Sequence, residues 1–142
     1  MKMTKILRNT LISATLLIGL PAMAETAVIV SNSNPNAPMD ADTISRIFLG
    51  KTSSFPDGSA AVPIDQNEGS AVRDGFTDKI LGKNASQLKA YWSRLIFTGK
   101  GTPPKEAGDD AAVKALIAAN PNMVGYVDSS VVDGSVKVVF SF

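Results

Sequence analysis

The first 24 residues limit the fold most, because they set how much chain is left to build it. Leu11–Leu20 (LISATLLIGL) is an apolar run of the length expected for the core of a secretory leader. It is about half the roughly 20 residues that a membrane-crossing helix requires. Lys2, Lys5 and Arg8 precede it, and Pro21-Ala22-Met23-Ala24 supplies a small-x-small cleavage pattern. Cleavage is expected before Glu25. No Cys follows the run and no twin-Arg pair precedes it. Export is therefore expected in the unfolded state, without a lipid anchor on cysteine. The expected organisation is a cleaved signal peptide, residues 1–24, and one periplasmic domain, residues 25–142.

Removing 24 of 142 residues leaves 118, enough for one hydrophobic core. That core must hold the fold unaided, because the chain has no Cys and so no disulfide framework. Three of the 14 basic residues lie in the leader and all 13 acidic residues lie beyond it, so the formal charge falls from +1 to −2. That value points to neither nucleic acid nor an anionic membrane as a partner. The chain also has no His. Zinc sites and Ser–His or Cys–His nucleophile systems are therefore unavailable, and no Asp/Asn ladder of cation-binding spacing is visible. No cofactor, no metal and no enzymatic activity are expected.

Strand and helix signals alternate along the rest. Thr26–Ser31 (TAVIVS) reads as a buried strand and Asn32–Pro38 as a loop. Asp40 is a good N-cap for a helix over 41–49, with Ile44, Ile47 and Phe48 on one face and Gly50 just past the end. Pro56-Asp57-Gly58 marks a turn. Ala61–Asp65 reads as a strand in which Pro63 demands an edge or a strand end. Ser70 caps a helix carrying Val72, Phe76 and Ile80 and stopped by Gly82. Ser86 is read as the cap of the next helix, 87–97, with Leu88, Tyr91, Trp92, Leu95 and Ile96 on its buried side. Thr98–Lys105 reads as a Gly/Pro loop whose Lys100 and Lys105 either guide an anion or partner or are simply solvated. Asp109 or Asp110 caps a helix with Val113, Leu116 and Ile117. Met123–Val127 and Ser135–Phe140 read as strands, and Asp128–Asp133 fits either a helical turn or a hairpin arm. The alternation defines an α/β domain.

The stretch richest in chemistry is Asp65-Gln66-Asn67-Glu68-Gly69-Ser70-Ala71-Val72-Arg73. A strand ends, a polar loop follows and Gly-Ser opens a helix. The first amides of a helix lack internal partners and lie at the positive end of its dipole, so this is a candidate oxyanion site. Gly69 allows close approach of the backbone, Ser70 can add a hydroxyl, and Arg73 in the first turn can add a charged contact. The same residues also suit a plain N-cap and turn. Asp65 with Glu68 shows no nucleophile between them that would make a catalytic pair.

Four segments in order resemble the substrate-binding proteins of phosphate ABC transporters. Ile47-Phe48-Leu49-Gly50-Lys51 is similar to their IFLGK helix end, and Glu68-Gly69-Ser70 with Phe76-Thr77 to their acid-Gly-Ser-Gly-Thr segment. Tyr91-Trp92 is similar to their tryptophan-bearing segment and Met123-Val124-Gly125-Tyr126-Val127 to their GAIGYV strand. The resemblance implies a single type 2 periplasmic-binding-protein-like lobe, a mixed sheet flanked by helices. It also implies phosphate or another oxyanion as ligand, with Glu68 accepting the proton of the monohydrogen form and Ser70 donating. Glu68, Gly69, Ser70, Ala71 and Arg73 are the candidate site residues. The family's Arg before the acid is replaced, with Gln66 nearest, and its Gly-Thr after the Ser has become Ala71-Val72. Only about one of the family's two lobes is covered. A homodimer, an ABC transporter permease or an envelope protein is expected to supply the missing face, or else the lobe has become a ligand-free adaptor.

Overall fold

A computed structural model describes residues 25–142; the predicted leader lies outside the described residues. β1 (Thr26–Ser31) is buried at every position, so both of its faces must be covered. The order that follows is α1 (Ala41–Phe48), β2 (Val62–Gln66), α2 (Ala71–Lys79), α3 (Ala85–Phe97), β3 (Lys105–Gly108), α4 (Asp110–Ala119), β4 (Met123–Asp128) and β5 (Val136–Ser141). A short 3-10 turn, Ser129–Val131, joins the last two strands.

The strands form one mixed sheet in the order β3-β2-β4-β1-β5. β2 runs parallel to both β3 and β4, while β1 is antiparallel to β4 and β5. Alternation along the strands sorts side chains between two layers. Val28, Val30, Val124 and Tyr126 face α1 and α2, meeting Ile44, Ile47, Phe48 and Phe76. Ala27, Ile29, Ile64 and Val127 face α4, meeting Val113 and Ile117. α4 lies so close to the sheet that a Cβ on Gly125 would sit 2.9 Å from Val113 Cγ1. α3 packs outside, Leu88 and Trp92 resting on Leu49, with the Tyr91 hydroxyl donating to the Leu49 carbonyl at 2.6 Å. Gly50, at φ 71°, ends α1 in the left-handed region beneath the Trp92 ring.

The structure departs from the sequence expectations at several places. α3 starts two residues earlier than read. Asn84, not Ser86, is its cap, in a capping box with Gln87 whose bonds are 2.8 and 2.9 Å. Ile96 is 54 % exposed and lies outside the buried side. Lys105 belongs to β3 and not to a loop. Pro63 is in an inner strand but second in β2, at the strand end that the sequence allowed, where its missing N–H costs nothing. Val62 donates toward β4 through the Asn122 carbonyl, so Pro63 turns toward β3, which begins opposite Ile64. Asp109 is the cap of α4. No helix among the described residues is long and apolar enough to cross a membrane.

Candidate functional site

Three parallel strands end on the same edge of the sheet, at Gln66, Gly108 and Asp128. Two of them lead directly into helices, so α2 and α4 open there together, the arrangement that places ligands at the carboxyl ends of strands in α/β folds. The Asn67 amide donates to the Gly108 carbonyl at 3.0 Å and ties the two connections.

At α4 the first acids are engaged, while the amides of Asp110 and Ala111 have no acceptor among the described residues. Asp109 accepts from the Ala112 amide at 3.0 Å. Asp110 accepts from Gln66 Nε2 at 2.5 Å and from the Asp128 amide at 3.0 Å. Ser70 caps α2 by accepting from the Arg73 amide at 3.2 Å, and the amides of Ala71 and Val72 likewise have no acceptor among the described residues. Gly69 precedes them at φ 89°, with open space where a side chain would project. It is there for its backbone conformation, which other residues adopt only with strain.

Beneath this turn lies a polar network absent from the expected site. Gln66, 2 % exposed, donates to the Tyr126 carbonyl at 3.1 Å and accepts from the Ser70 hydroxyl at 2.6 Å. The Tyr126 hydroxyl donates to Asp65 and accepts from the Gln66 amide. Arg73 Nη1 donates to the Gln66 carbonyl at 2.8 Å and to Glu106 at 2.5 Å, and Arg73 Nη2 stands 3.8 Å from Asp65. No buried side-chain nitrogen or oxygen lacks a partner among the described residues, as a low-dielectric interior requires. Burial pushes the Asp65 carboxyl above its ordinary range, while the Tyr126 bond and the Arg73 charge oppose that rise. Burial and then the Asp65 charge push Tyr126 up. Burial disfavours the Arg73 charge, but Glu106 and Asp65 outweigh it and hold the guanidinium protonated.

The five expected site residues are thus divided. Glu68, Gly69 and Arg73 border a groove of about 160 Å³ between α2 and α3, which Asp74, Thr77, Lys89 and Trp92 also line. Ser70 instead turns its hydroxyl inward to Gln66. Ala71 is exposed and offers its amide. Trp92 is 8 % exposed and divides its surface between the core and the groove floor. Glu106 and Asp110 are the network residues that local reading missed. Their links span 33 and 44 residues and depend on the register that sets Asp65 beside Glu106. No group of three or more His, Cys, Asp or Glu is placed to hold a metal ion among the described residues.

A mixed sheet clad by helices, with two helix N-termini opening beside the ends of its parallel strands, is the architecture of one periplasmic-binding-protein-like lobe. Solved structures of phosphate transport proteins share it. One is assigned as a phosphate ABC transporter substrate-binding protein from Clostridium perfringens and was solved with phosphate bound; it is 25% identical, with a TM-score of 0.66 over 82% of this chain and 45% of its own. An ABC-type phosphate transport receptor from Vibrio cholerae is 17% identical, with a TM-score of 0.63 over 82% of this chain and 46% of its own. PstS from Borrelia burgdorferi, at 12% identity, gives 0.54 over 75% of this chain and 42% of its own. The chain therefore spans less than half the length of these structures. No family model matches the chain, and no curated protein matches it in sequence.

Proposed function

We propose that residues 25–142 act in the periplasm, after removal of a signal peptide, as a solute-binding lobe for phosphate or a similar oxyanion. The lobe works for or alongside an ABC transporter and performs no catalysis. The observation that carries this reading is the start of α2. There the uncommitted amides of Ala71 and Val72 follow Gly69, and Arg73 stands in the first turn. Such a start favours negative charge by backbone geometry and by the helix dipole together. Arg73 has five N–H groups, of which the two on Nη1 are engaged. Glu68, exposed at the same turn, would accept the hydrogen bond of a monohydrogen oxyanion.

A lone lobe leaves one side of the anion in water, where each charged contact is weaker than between two lobes. Capture by the monomer is therefore weak, and a second copy or a transporter or envelope partner supplies the other face. One observation favours a second reading, an adaptor lobe that has given up its ligand. The Ser70 hydroxyl is spent on Gln66, and Arg73 is paired with Glu106 and Asp65.

Amide NMR of the labelled protein under phosphate titration separates the two. The binding reading expects saturable shifts at Gly69, Ala71 and Val72, smaller ones with sulfate, and at least about tenfold weaker binding in Arg73→Ala, the worth of a charged hydrogen bond. Unchanged affinity in both Ser70→Ala and Arg73→Ala overturns the site assignment.

A further inference from the structure

The formal charge of −2 over residues 25–142 conceals a sharp segregation. Between Asp78 and Glu106 the chain carries Lys79, Lys83, Lys89, Arg94, Lys100 and Lys105 and not one acidic residue. The rest of residues 25–142 sets five basic residues against 13 acidic ones. None of the six cations is in an ion pair among the described residues, whereas Arg73 and Lys114 elsewhere are paired.

α3 runs through the middle of this acid-free stretch and ends on a bare aromatic ring. Phe97 is 92 % exposed, and Ile96 beside it 54 %. The helical rotation accounts for this. Leu88 and Trp92 anchor α3 to the body of the protein, and Phe97, five residues past Trp92, points about 140° away from it. Arg94 lies one turn back on the same outward side. Ile96 shares a shallow surface depression with Gly99, Lys100, Gly101 and Thr102. An exposed large apolar pair is informative where a lone exposed Leu is not. Here it stands with Arg94 and Lys100, neither of which is in an ion pair among the described residues.

We infer that the C-terminal end of α3 docks on an anionic phospholipid surface. Phe97 and Ile96 enter the boundary between headgroups and acyl chains while Arg94 and Lys100 meet lipid phosphates. Charge complementarity selects this occupant, since the apolar pair lies between Arg94 and Lys100 in a stretch of chain with six cations and no acid, which suits an anionic plane. The exposed apolar pair suits a soft interface, in the way interfacial helices combine apolar insertion with a cationic flank. The site is separate from the start of α2 and does not depend on the proposed ligand.

Flotation with vesicles tests it, using the protein as its expression host processes it and comparing variants made in that same background. Binding is expected to vesicles of phosphatidylglycerol and phosphatidylcholine, and not to phosphatidylcholine alone. It should fall steeply on raising salt to about 0.5 M, where exposed charges are screened within a few ångströms. Phe97→Ser should bind at least about tenfold more weakly, the factor expected from exposing a phenylalanine. Arg94→Glu with Lys100→Glu should lose about thirtyfold or more, counting roughly a factor of five per cation. Val138→Ser, at an exposed apolar position on β5 (39 %), should bind as the parent does. All these positions are exposed, so melting temperatures should match the parent. Equal binding to both vesicle types, or parent-like binding by Phe97→Ser and the charge-reversal pair, overturns the inference. So does Phe97-dependent binding to soluble poly-glutamate without vesicle binding, which would assign the face to an acidic protein.

Discussion

Tyr126→Phe removes one oxygen from the centre of the network and leaves the ring in place. The ring keeps its stack on Phe76, with centroids 4.0 Å apart and planes 8° apart, so the change in stability reports on the hydroxyl. That hydroxyl donates to Asp65 and accepts from the Gln66 amide at 3.3 Å. A hydrogen bond to a charged group contributes about 1.5–3 kcal/mol. Asp65 has one means of relief, since it can take up a proton at about 1.4 kcal/mol for each pH unit above its pKa. Burial already raises that pKa, which places the expected loss toward the lower part of the range, about 2 kcal/mol at neutral pH. For a chain of this size that corresponds to a fall in melting temperature of about 6–10 °C. At about pH 3 the carboxyl is neutral, needs a donor less, and the loss should shrink by half or more. Thermal unfolding followed by circular dichroism at the two pH values measures both quantities. A parent-like melting temperature at neutral pH, or an equal loss at both pH values, refutes the reasoning.

The same packing and capping arguments yield further expectations. Gly125→Ala should cost about 1–3 kcal/mol by overpacking, because its Cβ would lie 2.9 Å from Val113 and 3.2 Å from Ile117; denaturant melts of Gly125→Ala with and without Val113→Ala should show partial rescue. Asn84→Ala should cost about 1 kcal/mol by removing the α3 cap, and Ser86→Ala only a few tenths, again read by denaturant melts. Carboxyl-carbon NMR should find Asp65 titrating above the ordinary Asp value of 3.8 and Asp128, bonded to the Ser130 amide, below it. The two contribute to stability with opposite pH dependence. The Asp65 contribution is full below 3.8 and is lost as pH rises through its raised pKa, while the Asp128 contribution is full above 3.8 and is lost as pH falls through its lowered pKa.

Periodicity and capping carried most of the fold. Ile44, Ile47 and Phe48 announce α1 and bury as expected. TAVIVS announces a strand covered on both faces. β3 escaped because Lys105–Gly108 is half exposed and has no β-branched residue, so nothing local distinguishes it from the Gly/Pro loop before it. Ile96 deceived because its spacing from Trp92 is that of a buried neighbour, whereas the cluster around Trp92 extends to Leu95 and not to Ile96. At the candidate site the turn from Gly69 to Arg73 was legible, being local. The partners that hold it were not, since Asp65, Glu106 and Asp110 reach Gln66, Tyr126 and Arg73 only through the register of parallel strands. The charge segregation was present in the sequence but was cancelled in the single number used to summarise it.

Titration calorimetry with phosphate and then sulfate, run beside a measurement of solution mass, tests the central proposal most directly. The account predicts saturable phosphate heat, rejection of sulfate, and loss of the signal in Arg73→Ala. No heat with either anion, in monomer and dimer alike, would contradict it and assign the lobe to an adaptor role.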